Sequence, residues 1–168
     1  NITVSDDAKW FAGQDVTGPF TAYSEAETIN KHALEATGGK HLINTYGPTE
    51  ATIVATWWHA PRCAADLEER NGLPIGHPVE GVRVLVLDSE RRPVAPGESG
   101  ELWIGGCGLA RGYHLRPDLT AARFARFDAD GSIVAGDEPR PGTERFYATG
   151  DRVRWRGDGE LEFLGRLD

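Results

Sequence analysis

The sequence contains no methionine, only two cysteines, and fewer basic than acidic side chains, 18 against 26. Each shortage removes a class of explanation. Cys63 and Cys107 have neither partner cysteines nor the close spacing of zinc ligands, so they read as reduced thiols and support no disulfide framework or zinc centre. A formal net charge of −8 leaves no basic face for a nucleic-acid backbone or an anionic membrane. No apolar run approaches the roughly 20 residues a membrane helix needs. The opening Asn1-Ile2-Thr3-Val4-Ser5-Asp6-Asp7 lacks the charged-then-apolar layout of a signal peptide. Together these absences point to a cytoplasmic globular protein with neither nucleic acid nor membrane as a partner. A start without Met and a finish on Leu161-Glu162-Phe163-Leu164-Gly165-Arg166-Leu167-Asp168, with no polar tail, are expected of a piece of a longer polypeptide.

What remains is 168 residues at 39% hydrophobic content, enough for one core or two small lobes. Residues 1–24 scatter Trp10, Phe11, Phe20 and Tyr23 among Gly and Asp and read as loop with a short strand at most. A helix is predicted from Ser24 to Thr37, with Ser24 as cap, Glu25 and Glu27 in the first turn, and Gly38-Gly39 as its stop. His41 to Asn44 reads as a short strand. Ala51 to Trp58, apolar and β-branched, reads as a buried strand, with helix the weaker option, and His59 beside two tryptophans as packed or solvent-facing rather than catalytic. Arg62 to Asn71 suits a loop or short helix, and Leu73 to Pro78 a rigid connector.

Past Gly81 the pattern is β. Strands are predicted over 82–88, 100–105, 146–151, 153–155 and 160–164, with a polar turn over 89–97. A short helix is predicted from Pro117 to Phe124, and Arg156-Gly157-Asp158-Gly159 is a hairpin turn. Gly106 to Tyr113 is too rich in glycine for a helix and lacks the Gly-Lys-[Ser/Thr] ending of a phosphate loop, so it reads as a backbone turn. The expected fold class is α/β, more strictly an α+β fragment. Residues 1–80 would end an α/β subdomain, and residues 81–168 would form a small distorted antiparallel β-barrel subdomain.

Asn44-Thr45-Tyr46-Gly47-Pro48-Thr49-Glu50 concentrates the chemistry. Gly and Pro fix a turn, Tyr46 offers a flat face to a base, Thr49 a donor to a phosphate oxygen, and Glu50 a hard oxygen ligand for Mg²⁺. Taken alone, such a stretch is more often a tight turn whose Thr49 caps a helix.

The motifs that follow change that balance. Tyr46-Gly47-Pro48-Thr49-Glu50, Gly100-Glu101-Leu102-Trp103-Ile104, Leu109-Ala110-Arg111-Gly112-Tyr113 with Arg116-Pro117-Asp118-Leu119-Thr120, Tyr147-Ala148-Thr149-Gly150-Asp151, and Gly165-Arg166-Leu167-Asp168 resemble, in order and spacing, core motifs of adenylate-forming enzymes. The similarity is greatest to the amino-acid adenylation domains of nonribosomal peptide synthetases. The resemblance covers residues 41–168 well and residues 1–40 poorly, where Tyr23-Ser24-Glu25-Ala26 lacks the glycines of the family's Gly-Gly-Glu-Ala segment.

The resemblance implies an ATP-dependent ligase that converts an amino acid to aminoacyl-AMP and pyrophosphate, then passes it to the phosphopantetheine thiol of a carrier protein. Its cofactors would be ATP and Mg²⁺. Its partners would be the amino-acid substrate, the carrier protein, neighbouring synthetase domains and a small accessory protein. By the same analogy Tyr46, with Gly47, stacks on adenine, Thr49 hydrogen-bonds the α-phosphate and Glu50 holds Mg²⁺. Asp151 accepts from both ribose hydroxyls, Arg166 reaches ribose or phosphates, and Phe163 lies near the nucleotide where relatives often carry Tyr. Thr45, Ile53 and Val54 match the side-chain pocket, and none is charged. Asp168 matches the hinge of a C-terminal lid. The lid's lysine, the phosphate loop ending in Lys-Gly and the aspartate that recognises the amino group are absent, so the chain alone is expected to be inactive. Two alternatives stand beside this reading: an acyl- or aryl-CoA ligase, and a non-catalytic interaction module.

Overall fold

A computed structural model of the chain describes residues 43–60, 73–134, 136 and 138–167. The helix expected over Ser24–Thr37, the segment Arg62–Asn71 and the hinge residue Asp168 lie outside them. The residues from Thr45 to Trp58 and from Pro74 onward belong to one compact unit.

In chain order the described strands are β1 (Ile43–Tyr46), β2 (Thr56–His59), β3 (Pro74–Pro78), β4 (Val82–Leu87), β5 (Ser99–Gly106), β6 (Phe124–Phe127), β7 (Ile133–Val134), β8 (Glu144–Trp155) and β9 (Leu161–Arg166), with one helix, α1 (Pro117–Arg123). From β2 onward they pair antiparallel. The hairpin turn forms as predicted: Gly159 N–H reaches the Arg156 carbonyl at 3.0 Å and returns the chain from β8 into β9. Helix α1 begins on Pro117, whose missing N–H costs nothing in a first turn.

The strand path runs β1-β2-β3-β9-β8-β5-β4, with β6 on β8 and β7 on β6. The expected barrel does not close. The path ends on β1 and β4, which do not pair with each other, and a branch leaves it at β8, where one edge pairs β5 while the other pairs β6 along Glu144–Tyr147 and then β9 along Asp151–Trp155. Closure requires the terminal strands to pair.

The central strands are buried on both faces. On β5, Leu102 and Ile104 join Ala51, Ala55, Val86 and Val153 in one cluster, while Trp103 points the other way into a cluster with Leu87, Phe127, Phe146 and Ala148. Period-two alternation thus feeds two cores from one strand. Phe127 meets Trp103 and Phe146 edge to face, each at 5.5 Å between centroids, contacts worth about 0.5–1.5 kcal/mol apiece beyond area burial.

Two expectations are corrected. Ala51 to Trp58 is not one strand: Thr49–Ala51 form a single 3-10 turn, Thr52 and Ile53 take φ of 58° and 72°, and β2 starts only at Thr56. The Ala55 N–H returns to the Tyr46 carbonyl at 2.8 Å, so the chain must fold back over Gly47. A Cβ on Gly47 would sit 2.5 Å from the Ile53 oxygen, which is why glycine is needed there. Leu73 to Pro78 is likewise no mere connector. Pro74–Pro78 form β3, which pairs both β2 and β9 with its prolines at the two ends, where a missing N–H is tolerated. Among the described residues no helix is long and apolar enough to cross a membrane.

Candidate functional site

The sharp turn after β1 delivers Tyr46 toward the middle of β8. Its hydroxyl donates a short hydrogen bond to Asp151 Oδ2. From β9, Arg166 Nη1 reaches Asp151 Oδ1 at 3.1 Å and the Thr149 carbonyl at 3.4 Å. Phe163, also on β9, places its ring 6.2 Å from that of Tyr46, tilted by 37°. Four residues singled out by sequence therefore meet at one place, although more than a hundred positions separate the first from the second.

Asp151 is 6% exposed, and a buried carboxylate persists only with donors around it. Here each oxygen receives one. Burial, and then the hydrogen bond to Asp151, push the Tyr46 phenol well above the usual tyrosine range, so it remains a donor at every physiological pH.

The position before the 3-10 turn is Pro48, with no side-chain cap, so Thr49 does not cap it; Thr49 is exposed at the turn's first position. Asp151 lies inside β8, and Arg166 forms a salt bridge with it.

Glu50 gathers a second group. Tyr113 donates its hydroxyl to Glu50 Oε1 at 2.5 Å and lies 3.4 Å from the Tyr147 hydroxyl. Burial opposes ionisation of Glu50, yet hydrogen bonding led by Tyr113 and the positive charge of Arg123 hold its carboxyl below the usual range. Burial first, then Tyr113 and the Glu50 charge, raise the Tyr147 phenol well above its own. Among the described residues no group of three or more acidic, His or Cys side chains could cage a metal. A single ionised carboxylate fits Mg²⁺ all the same, since that ion is held by one or two carboxylates together with substrate phosphates.

Thr45 and Val54 border the same turn, and Ile53 is 73% exposed in its left-handed conformation. An exposed β-branched residue held at positive φ is strained, a condition that concentrates at functional sites. Tyr113 and Tyr147 were visible in the sequence only as motif members, and Arg123 only as part of a helix; its guanidinium and that of Arg166 both lie where a Cβ on Gly150 would point.

A family model described as AMP-binding enzyme matches residues 6–114. Among curated proteins, the phosphinothricin tripeptide synthetase PhsC of Streptomyces viridochromogenes is 52% identical over 144 residues, which is 86% of this chain and 12% of that protein. A dimodular nonribosomal peptide synthase of Bacillus subtilis is 51% identical over 129 residues, 76% of this chain and 5% of that protein. The chain thus spans a small part of the relatives it matches. Among solved structures, an NRPS protein containing adenylation and PCP domains, bound to a vinylsulfonamide inhibitor, superposes with a TM-score of 0.68 at 35% identity, covering 82% of this chain and 22% of that one.

Proposed function

The chain belongs to the AMP-binding enzyme family, and from that premise we propose that it forms the nucleotide-binding edge of an amino-acid adenylation site in a nonribosomal peptide synthetase. The observation that carries this reading is the pairing at Asp151. A carboxylate offers about four lone-pair positions. Tyr46 and Arg166 occupy one on each oxygen, which leaves an acceptor on each for a ribose hydroxyl. The ring of Tyr46, held by that same bond, is then set to stack on the adenine joined to the ribose.

The remaining roles follow from position. Thr49, exposed at the start of the turn, donates to the α-phosphate, and Gly47 lets the backbone approach closely. Glu50, kept ionised by Tyr113, holds Mg²⁺, which when bound offsets negative charge on the phosphates. Arg166 adds a permanent positive charge beside ribose and phosphates, and Phe163 packs beside the Tyr46 ring. Orienting two anions in line and neutralising charge at phosphorus is most of what adenylation requires. Thr45, Ile53 and Val54 supply an uncharged wall for the amino-acid side chain, and Asp168 serves as the hinge of a lid. The acceptor is the phosphopantetheine thiol of a carrier protein, a partner supported by the PCP domain of the matched structure. Neighbouring synthetase domains and a small accessory protein complete the cytoplasmic assembly.

Amino-acid-dependent ATP–pyrophosphate exchange tests this in the synthetase polypeptide that carries the chain. A response to one or a few amino acids, and none to fatty or aryl acids, supports the reading. Exchange driven by fatty or aryl acids indicates a CoA ligase instead, and activity that survives both Glu50→Ala and Asp151→Ala indicates an interaction module. The 168 residues contain no Lys-Gly pair, so the chain by itself is expected to show no saturable exchange.

A further inference from the structure

Strands β5 and β8 fall out of step at the site. Glu101 faces Arg152 and Trp103 faces Ala148, so a two-residue step on β5 spans a four-residue step on β8. Thr149-Gly150-Asp151 thus stand against the single residue Leu102, and regular pairing with β5 lapses along them. Backbone groups that lose their ladder partners must find others.

Three of them find side chains and one a backbone amide. The Thr149 hydroxyl donates to the Leu102 carbonyl at 2.8 Å and accepts the Asp151 N–H at 3.0 Å. The Gly150 carbonyl accepts the Leu167 N–H at 2.8 Å. The Gly150 N–H goes to Glu101 Oε1 at 2.9 Å, and the other oxygen of that carboxylate takes the Trp103 indole N–H at 3.1 Å. Gly150 itself sits at φ 75°, and a Cβ there would press on Arg123 and Arg166 at 3.2 and 3.3 Å. The bulge is therefore held from the β5 side by one charged acceptor, and that acceptor is in turn oriented by an indole. Bulges of this kind re-aim a neighbouring side chain, and the side chain next along β8 is Asp151.

Resting on the reading of Asp151 as the ribose acceptor, we propose that Glu101 is a positioning residue for nucleotide binding. Its carboxylate fixes the Gly150 amide and, through it, the direction in which Asp151 meets Tyr46, Arg166 and the ribose. It touches no substrate itself.

The test is ATP–pyrophosphate exchange by the synthetase polypeptide carrying Glu101→Ala, Glu101→Gln, Trp103→Phe or Asp151→Asn. Losing a hydrogen bond to a charged group corresponds to roughly a tenfold or greater change. Glu101→Ala is accordingly expected to raise KM for ATP about tenfold or more, with KM for the amino acid unchanged and kcat little altered. Glu101→Gln, whose amide oxygen still accepts the Gly150 N–H, restores most of that loss. Trp103→Phe removes the indole donor to the other Glu101 oxygen and trims a core ring, and raises KM for ATP by clearly less than Glu101→Ala does. Should Glu101→Ala not fold, Glu101→Asp keeps the charge, withdraws the oxygen from Gly150, and carries the same expectation. An unchanged KM for ATP in Glu101→Ala, or an equal rise in Trp103→Phe, overturns the proposal. Asp151→Asn separates the two levels: if it raises KM for ATP and Glu101→Ala does not, the positioning role fails alone, and if Asp151→Asn has no effect the ribose reading fails.

Discussion

The hydroxyl of Tyr113 donates to Glu50 Oε1 at 2.5 Å, joining positions 63 residues apart. Tyr113→Phe removes this donor while keeping the ring, which packs at 66° against Phe124. Both side chains are partly exposed, so unfolding free energy should fall by no more than about 1 kcal/mol. The larger expected effect is on metal dependence: the variant should need several-fold more Mg²⁺ for half-maximal pyrophosphate exchange. A Mg²⁺ titration at saturating ATP checks this, and an unchanged midpoint would separate Tyr113 from the role proposed for Glu50.

Gly47→Ala should be strongly disruptive. The added Cβ would lie 2.5 Å from the Ile53 oxygen and 2.6 Å from the Ala55 nitrogen, both backbone atoms that cannot swing aside. Overpacking of this kind costs about 1–3 kcal/mol. Urea unfolding should place the variant toward the upper end of that range, whereas Gly131→Ala, where a Cβ meets nothing within 4 Å, tests positive φ alone.

Arg166→Ala should divide stability from function. The Arg166 side chain is 49% exposed and the Asp151 side chain 9%, so solvent screening keeps the bridge's net worth near or below about 1 kcal/mol. The variant is expected to unfold close to wild type in urea yet show a KM for ATP raised roughly tenfold. A large stability loss with unchanged KM would mark Arg166 as structural.

Alkaline pH should weaken the fold in a defined direction. Burial and the bond to Asp151 raise the Tyr46 phenol in the folded state above its ordinary value, which is about 10 in an unfolded chain. Below that pH both states keep the proton and stability is unaffected. Above it the unfolded state loses its proton first, so stability falls as pH rises toward the folded value. Urea midpoints at pH 9 and pH 11 should drop less in Tyr46→Phe than in wild type, and less again when Tyr147→Phe is added, because Tyr147 is raised too. Equal drops in all three would contradict the assignment.

Much of the β-rich half was legible because its signals are local. A β-branched run, apolar but for Arg83, marks Val82–Leu87, the Gly-Asp-Gly turn marks the β8–β9 hairpin, and Pro at the first position marks α1. Ala51 to Val54 misled because β-branched residues favour strands, while Thr52 and Ile53 are forced to positive φ by the return of Ala55 to Tyr46, a tertiary demand that no local pattern announces. Closure of the sheet was illegible for a similar reason, since one long strand reads the same whether its edge takes one partner or two. Within the site, motifs were enough to nominate Tyr46, Asp151 and Arg166. The bonds that tie Tyr113 to Glu50 and Glu101 to Gly150 span 63 and 49 positions, and such bonds leave no spacing to read.

In the proposed site Asp151, held between Tyr46 and Arg166, receives the ribose hydroxyls of ATP. Comparing ATP with 2′-deoxy-ATP in pyrophosphate exchange by the wild-type synthetase and by Asp151→Ala probes that contact itself. A carboxylate that accepts from the 2′-hydroxyl predicts a KM roughly tenfold higher for the deoxynucleotide in wild type, and near-equal values for the two nucleotides in the variant. The same preference for ATP in both proteins would contradict the account.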